Sequence, residues 1–139
     1  MHAKYNGFFN ANELIKSTYN DFLKSRKEDY NTTIPIYPFT TNEESKNWYA
    51  PMDTAYRKCE LVVFKHRMPH KKKGKYRNAE WGKYVDDNWL TLGKTRYYKH
   101  DFANALKIFQ YIENKFPLED SYFSSIFWQA KVLLEMQAY

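Results

Sequence analysis

The residues able to do chemistry are few, and their spacing argues against catalysis. Asp86 and Asp87 stand side by side, and paired carboxylates are the tools of general acid–base work. Adjacent helical residues, however, point about 100° apart. Both also fall in a helical first turn, where the positive end of the helix dipole favours acid, so a structural role is expected. Of the four histidines, His2, His66, His70 and His100, only the middle two have the spacing of a helical ligand pair, and Pro69 between them breaks that helix. Cys59 is the one cysteine, which excludes a disulfide within the chain and a thiolate metal site. No Gly-rich phosphate loop is present, and no serine or cysteine nucleophile has a base nearby. A hydrolase or metal enzyme would need an acid, base or metal cluster that these residues do not assemble. The sequence therefore predicts no enzyme, no metal, no cofactor and no small-molecule substrate.

The charge excess is local. The chain carries 22 Lys and Arg against 16 Asp and Glu, and residues 65–77 hold a run of basic residues without a single acid. Within that run Lys71, Lys72, Lys73, Lys75 and Arg77 form a candidate partner-binding loop for an acidic or phosphate-rich surface; the plainer reading is a solvated loop. Nucleic-acid binding through this loop and exposed tyrosines is the alternative function, and such binding must weaken steeply with salt. The balance of the chain is close to neutral. No stretch approaches the ~20 apolar residues of a membrane span, and the start, Met1 to Gly7, has no apolar signal core.

The elements that position these residues read as helices. Hydrophobic residues make up 43% of the chain, much of it aromatic, with 13 Tyr, 10 Phe and 4 Trp against only 4 Gly and 5 Pro. That composition argues against a turn-rich β fold and against disorder. Residues 3–9 read as the end of one helix, Asn10–Asn12 as a corner, and Leu14, Ile15, Thr18, Phe22 and Leu23 as the apolar spacing of a second helix to about Lys27. Pro35 and Pro38 make the segment 30–41 an extended strap laid across the helices. Thr41 and Glu44 have the spacing of a capping box and start a short helix through Tyr49. From about Pro51 to His66, Met52, Ala55, Tyr56, Cys59, Val62 and Val63 form a buried stripe. After the basic loop come three helices, roughly 81–99, 102–116 and 121–139, joined by short corners and so antiparallel neighbours.

The pair of helices over 86–117 carries a repeat signature. Trp89, Leu92, Gly93, Ala105, Phe109 and Pro117 match the tetratricopeptide (TPR) pattern in register. Gly93 and Ala105 are small where the two helices touch, Trp89 and Phe109 fill the space beside that contact, and Pro117 stops the second helix. Arg96 and Ile112 depart from the pattern and imply altered packing between neighbours. A shift of 37 residues places Gly93 on Ala130, Tyr98 on Glu135 and Phe102 on Tyr139, three more than the usual ~34-residue period, with 118–120 as the insertion. A repeat array does not end well on an unpaired helix, so the chain is expected to be a fragment. The predicted fold is all-α: one TPR-like domain over 1–139, with degenerate helices and the strap in 1–66, the basic loop in 67–80, and one TPR plus the first helix of the next in 81–139.

Several strings together resemble one family. They are Ala3 to Leu14, Glu28 to Tyr30, Ile34-Pro-Ile-Tyr-Pro-Phe39, Met52-Asp53, Lys65-His66, Tyr84 to Lys94 and Tyr98 to Phe102. In this order they resemble the N-terminal region of the PorW/SprE-type TPR lipoproteins of Bacteroidota, components of the type IX secretion system and of gliding motility. The resemblance implies a periplasm-facing adaptor at the outer membrane that bridges the translocon and the motor-linked ring proteins. Its partners would be other proteins of that machinery, and it would meet the membrane only through an anchor upstream of Met1. For a TPR hairpin the groove is lined by outward positions of the first helix, here Asp87, Leu90, Lys94, Tyr97 and Tyr98. These are the candidate partner-binding residues; the alternative is that Tyr97 and Tyr98 pack against preceding helices. A TPR subtype that clamps a peptide carboxylate with Lys and Asn is not matched by Leu90 and Lys94.

Overall fold

Small and apolar residues at helical spacing fix the first contact of the fold. In the computed structural model, which describes residues 2–35, 37–66, 68–69, 80–81 and 84–137, a single helix α1 spans His2–Ser25. The corner expected at Asn10–Asn12 does not form. Asn costs an isolated helix only about 0.7 kcal/mol per residue, and packing outweighs that. Gly7, Ala11 and Ile15 follow one another at i, i+4 on one face, and Ala11 and Ile15 are buried. At Gly7 the approach is so close that a Cβ would stand 2.5 Å from Val62 Cγ2.

The strap follows α1 and is held by its aromatic side chains. The Tyr19 hydroxyl donates to the Pro38 carbonyl at 2.9 Å. Phe39 enters the core, 4.6 Å from the Tyr97 ring and stacked at 4.7 Å on His100. Ile34 stays exposed, and position 36 lies outside the described residues. The capping box is present: the Thr41 N–H donates to Glu44 Oε2 at 2.9 Å, and the Glu44 N–H donates to Thr41 Oγ1 at 3.3 Å. It opens a 3-10 helix over Glu44–Trp48 that runs straight into α2, Tyr49–His66. Pro51 thus sits in the first turn of α2, where its missing N–H has no helical partner to lose.

Five of the six residues of the expected α2 stripe, Met52, Ala55, Cys59, Val62 and Val63, are buried, and the sixth, Tyr56, is only partly so. Two short strands, β1 (Met68–Pro69) and β2 (Glu80–Trp81), then pair antiparallel, Met68 with Trp81 and Pro69 with Glu80. Trp81 is therefore in a strand rather than at the start of a helix. Helix α3 starts later, at Val85–Tyr98, after Tyr84 turns the backbone with φ 66 and ψ 9. Helices α4 (Phe102–Lys115) and α5 (Ser121–Gln137) follow.

Each helix packs on the next, and α3 also touches both α1 and α5. So α1, α3 and α5 form one layer, with α2 and α4 behind it. Between α3 and α4, Gly93 faces the Phe109 ring, and Ala105 and Phe109 are wholly buried. Trp89 lies 4.7 Å from Tyr111. Arg96, where the repeat pattern has an aromatic, lies over the Tyr56 ring of α2, 4.4 Å from its centroid. The α3–α4 corner is fastened to α2 by an ion pair between Lys99 and Asp53 at 2.6 Å. Rings fill the space between the layers: Trp48 meets Phe22 and Tyr98, each at 5.3 Å, and Tyr97 meets Trp128 at the same distance. Among the described residues the fold is all-α apart from the two-residue strands. Among the described residues no helix is long and apolar enough to cross a membrane.

Candidate functional site

The layer formed by α1, α3 and α5 carries the candidate groove, and the register of α3 decides what faces it. Asp87, Leu90 and Lys94 follow at i, i+3 and i+7 and are partly exposed. Tyr97 and Tyr98, expected on the same surface, are buried at 2% and 7% exposure. The strap explains this: Phe39 covers Tyr97, and Trp48 and Tyr19 close on Tyr98 at 5.3 and 5.8 Å. Burial pushes the Tyr98 hydroxyl well above its ordinary range, with Tyr19 adding to it. Both tyrosines serve the core and are unavailable to a partner in this arrangement. The basic-loop candidates Lys71, Lys72, Lys73, Lys75 and Arg77 lie outside the described residues.

The groove contains residues that periodicity within α3 does not single out. Lys131 of α5 projects its ammonium onto four rings, 4.3 Å from the Trp128 centroid, 4.7 Å from Tyr37, 5.5 Å from Tyr97 and 5.7 Å from Phe127. Lys94 reaches the same indole at 5.4 Å. The strap joins in through Tyr37, whose ring meets Phe127 edge-on at 6.3 Å. Ring faces attract cations, by about 0.5–2 kcal/mol depending on exposure. A sequence signal for this pair exists: the 37-residue shift that places Gly93 on Ala130 also places Lys94 on Lys131 and Leu90 on Phe127.

Charge is sorted along the groove. Burial lowers the Lys94 ammonium below its ordinary range; Lys16 and Lys131 lower it further, and Asp87 opposes them. Lys131 is lowered by burial, with Glu135 opposing. At the other end of α3, burial pushes Asp87 up to about 6, and Asp86, Glu119 and Asp120 push the same way. Asp86 also accepts a hydrogen bond from Ser121 Oγ at 2.8 Å, which ties the start of α5 to the start of α3. Asp87 and Lys94 stand seven residues apart, about 10 Å along the helix. The surface is thus acidic at one end and basic at the other.

For chemistry the described residues offer little. No group of three or more His, Cys, Asp or Glu among them is placed to hold a metal. Cys59 is buried, and burial pushes its thiol up to about 12, so it is not a nucleophile at neutral pH. His100 is engaged by Phe39 and by Thr40 Oγ1 at 3.1 Å. No family model matches the chain, and no curated protein matches it.

Proposed function

We propose that this chain is a non-catalytic protein–protein interaction scaffold built of TPR-like helical hairpins. The observation that carries the reading is the layer of α1, α3 and α5, which presents half-buried charge beside large rings. Aromatic anchors among polar groups are the common make-up of protein interfaces. The tight Gly93–Phe109 approach, with Ala105 buried alongside it, supports the TPR assignment, because the repeat pattern demands small residues there.

The resemblance of the strings from Ala3 to Phe102 supports a narrower reading. In it the chain is an adaptor of the type IX secretion and gliding apparatus, on the periplasmic side of the outer membrane, linking translocon and ring or motor components. The test is a pull-down from a Bacteroidota envelope extract with this chain as bait. Enrichment of translocon or ring proteins supports the adaptor; a folded bait that recovers none of them contradicts it. The second reading, nucleic-acid binding, rests on the basic run Lys71 to Arg77. Binding of random DNA and RNA at low salt that is lost at moderate salt would support it, and no binding at low salt ends it.

A further inference from the structure

Lys94 and Lys131 come from different helices, yet their ammonium groups lie within 5.4 and 4.3 Å of one indole, that of Trp128. Two like charges so placed repel, and both are partly withdrawn from water. Among the described residues neither makes a hydrogen bond or an ion pair with a carboxylate. Asp87 and Glu135 act on them only at a distance. Lys16 adds a third positive charge from α1, and its own partner is an exposed Glu13 at 3.4 Å, a pairing that contributes little. Three helices therefore bring cations together in a groove with unused donor capacity, above an aromatic floor. Such an arrangement leaves room for an anion to pair with them.

Resting on the scaffold reading above, we infer that the Lys94–Lys131 pair is the anion subsite of the groove and takes the side-chain carboxylates of an acidic, aromatic-containing segment of a partner protein. Carboxylates suit the site because ammonium groups partly out of water form charge-assisted hydrogen bonds about twice as strong as neutral ones. The exposed Phe127 and Tyr37 rings beside the lysines offer a surface to an apolar or aromatic side chain of the same segment. The acidic end fixes direction. Asp86, Asp87, Glu119 and Asp120 crowd together there, so a uniformly anionic chain such as a nucleic acid is repelled about 10 Å from the lysines. A segment with carboxylates at one end and a neutral or basic residue at the other matches both ends.

The test is a selection of random 12-residue peptides displayed against the chain, with a random single-stranded DNA 20-mer measured in parallel. Wild-type protein should enrich peptides rich in Asp and Glu, and replacing those acids by Asn and Gln in a selected peptide should weaken binding by about tenfold or more. K94Q/K131Q should abolish the enrichment, and K94R/K131R, which keeps both charges, should retain it. Circular dichroism checks that each variant is folded, and single K94Q and K131Q variants serve if the double variant is not. Selected peptides without an acid excess, amide versions that bind equally, or DNA binding that is lost in K94Q/K131Q would each overturn the inference. An envelope pull-down with K94Q/K131Q bait that recovers partners as fully as wild type would also overturn it, and would leave the scaffold reading intact.

Discussion

Replacing Gly93 by alanine sets two effects of opposite sign against each other. In a helix interior alanine is favoured over glycine by about 1 kcal/mol, so on propensity alone G93A stabilises. The structure reverses the sign. A Cβ at position 93 would stand 2.5, 2.8 and 2.9 Å from Cε1, Cζ and Cδ1 of Phe109, where carbon atoms prefer roughly 3.5–4.0 Å. The ring has no free direction of escape: Phe109 is wholly buried in the core cluster, with the Trp128 ring at 5.9 Å. Overpacking in such a place costs about 1–3 kcal/mol, and a deficit of about 1 Å against three ring atoms belongs at the top of that range. The net expectation is a loss of about 2 kcal/mol. Urea unfolding followed by circular dichroism and tryptophan fluorescence would show a lower midpoint at unchanged slope. In an F109L background the alanine penalty should shrink or change sign, because the clashing ring atoms are gone. If G93A is as stable as wild type or more so, the close approach of α3 and α4 is wrong.

Three further outcomes follow from polar groups that are buried or half-buried. Asp87 has its folded pKa raised to about 6 from 3.8, so the stability this gives is present below pH 4 and is lost as pH rises through 6. D87N should therefore stabilise the chain at pH 7 by about 1 kcal/mol, discounted for solvent screening, and should give no gain at pH 3.5; thermal unfolding at the two pH values reads this. Cys59, buried with its thiol pushed up to about 12, should resist a maleimide at pH 7.5 in native protein and react within minutes in urea; fast native labelling, followed by mass spectrometry, would contradict its burial. Thr40 is buried and its hydroxyl pairs with His100 Nε2 at 3.1 Å, so T40V should cost about 1–2 kcal/mol in urea unfolding, and a neutral result would show that the strap is not held there.

What the sequence made legible was decided by short-range pattern. The α2 stripe and the Gly93–Ala105–Phe109 contact were readable because helical period and residue size specify them directly. The Asn10–Asn12 corner misled because local cap preferences are worth less than the packing of Gly7, Ala11 and Ile15 against α2. Trp81 misled because its apolar character is equally at home in a short strand, and the turn at Tyr84 requires a positive φ that no glycine announces. Which residues of α3 stay accessible was half legible. Asp87, Leu90 and Lys94 follow from the α3 register. The burial of Tyr97 and Tyr98 depends on Phe39, some sixty residues away in the chain, and no local pattern encodes that insertion. The convergence of Lys94 and Lys131 was encoded only in the repeat shift, since nothing around either lysine marks it alone.

The claim that the layer of α1, α3 and α5 is the partner-binding face is tested most directly by site-specific photocrosslinking. A photoreactive residue would be placed at Lys16 or Tyr37, beside the groove, and for comparison at Lys107, exposed on α4, and each variant irradiated in an envelope extract. Discrete adducts with the same partner protein are expected from positions 16 and 37 and none from position 107. Adducts from position 107 alone, or no adduct from any groove position in folded protein, would contradict it.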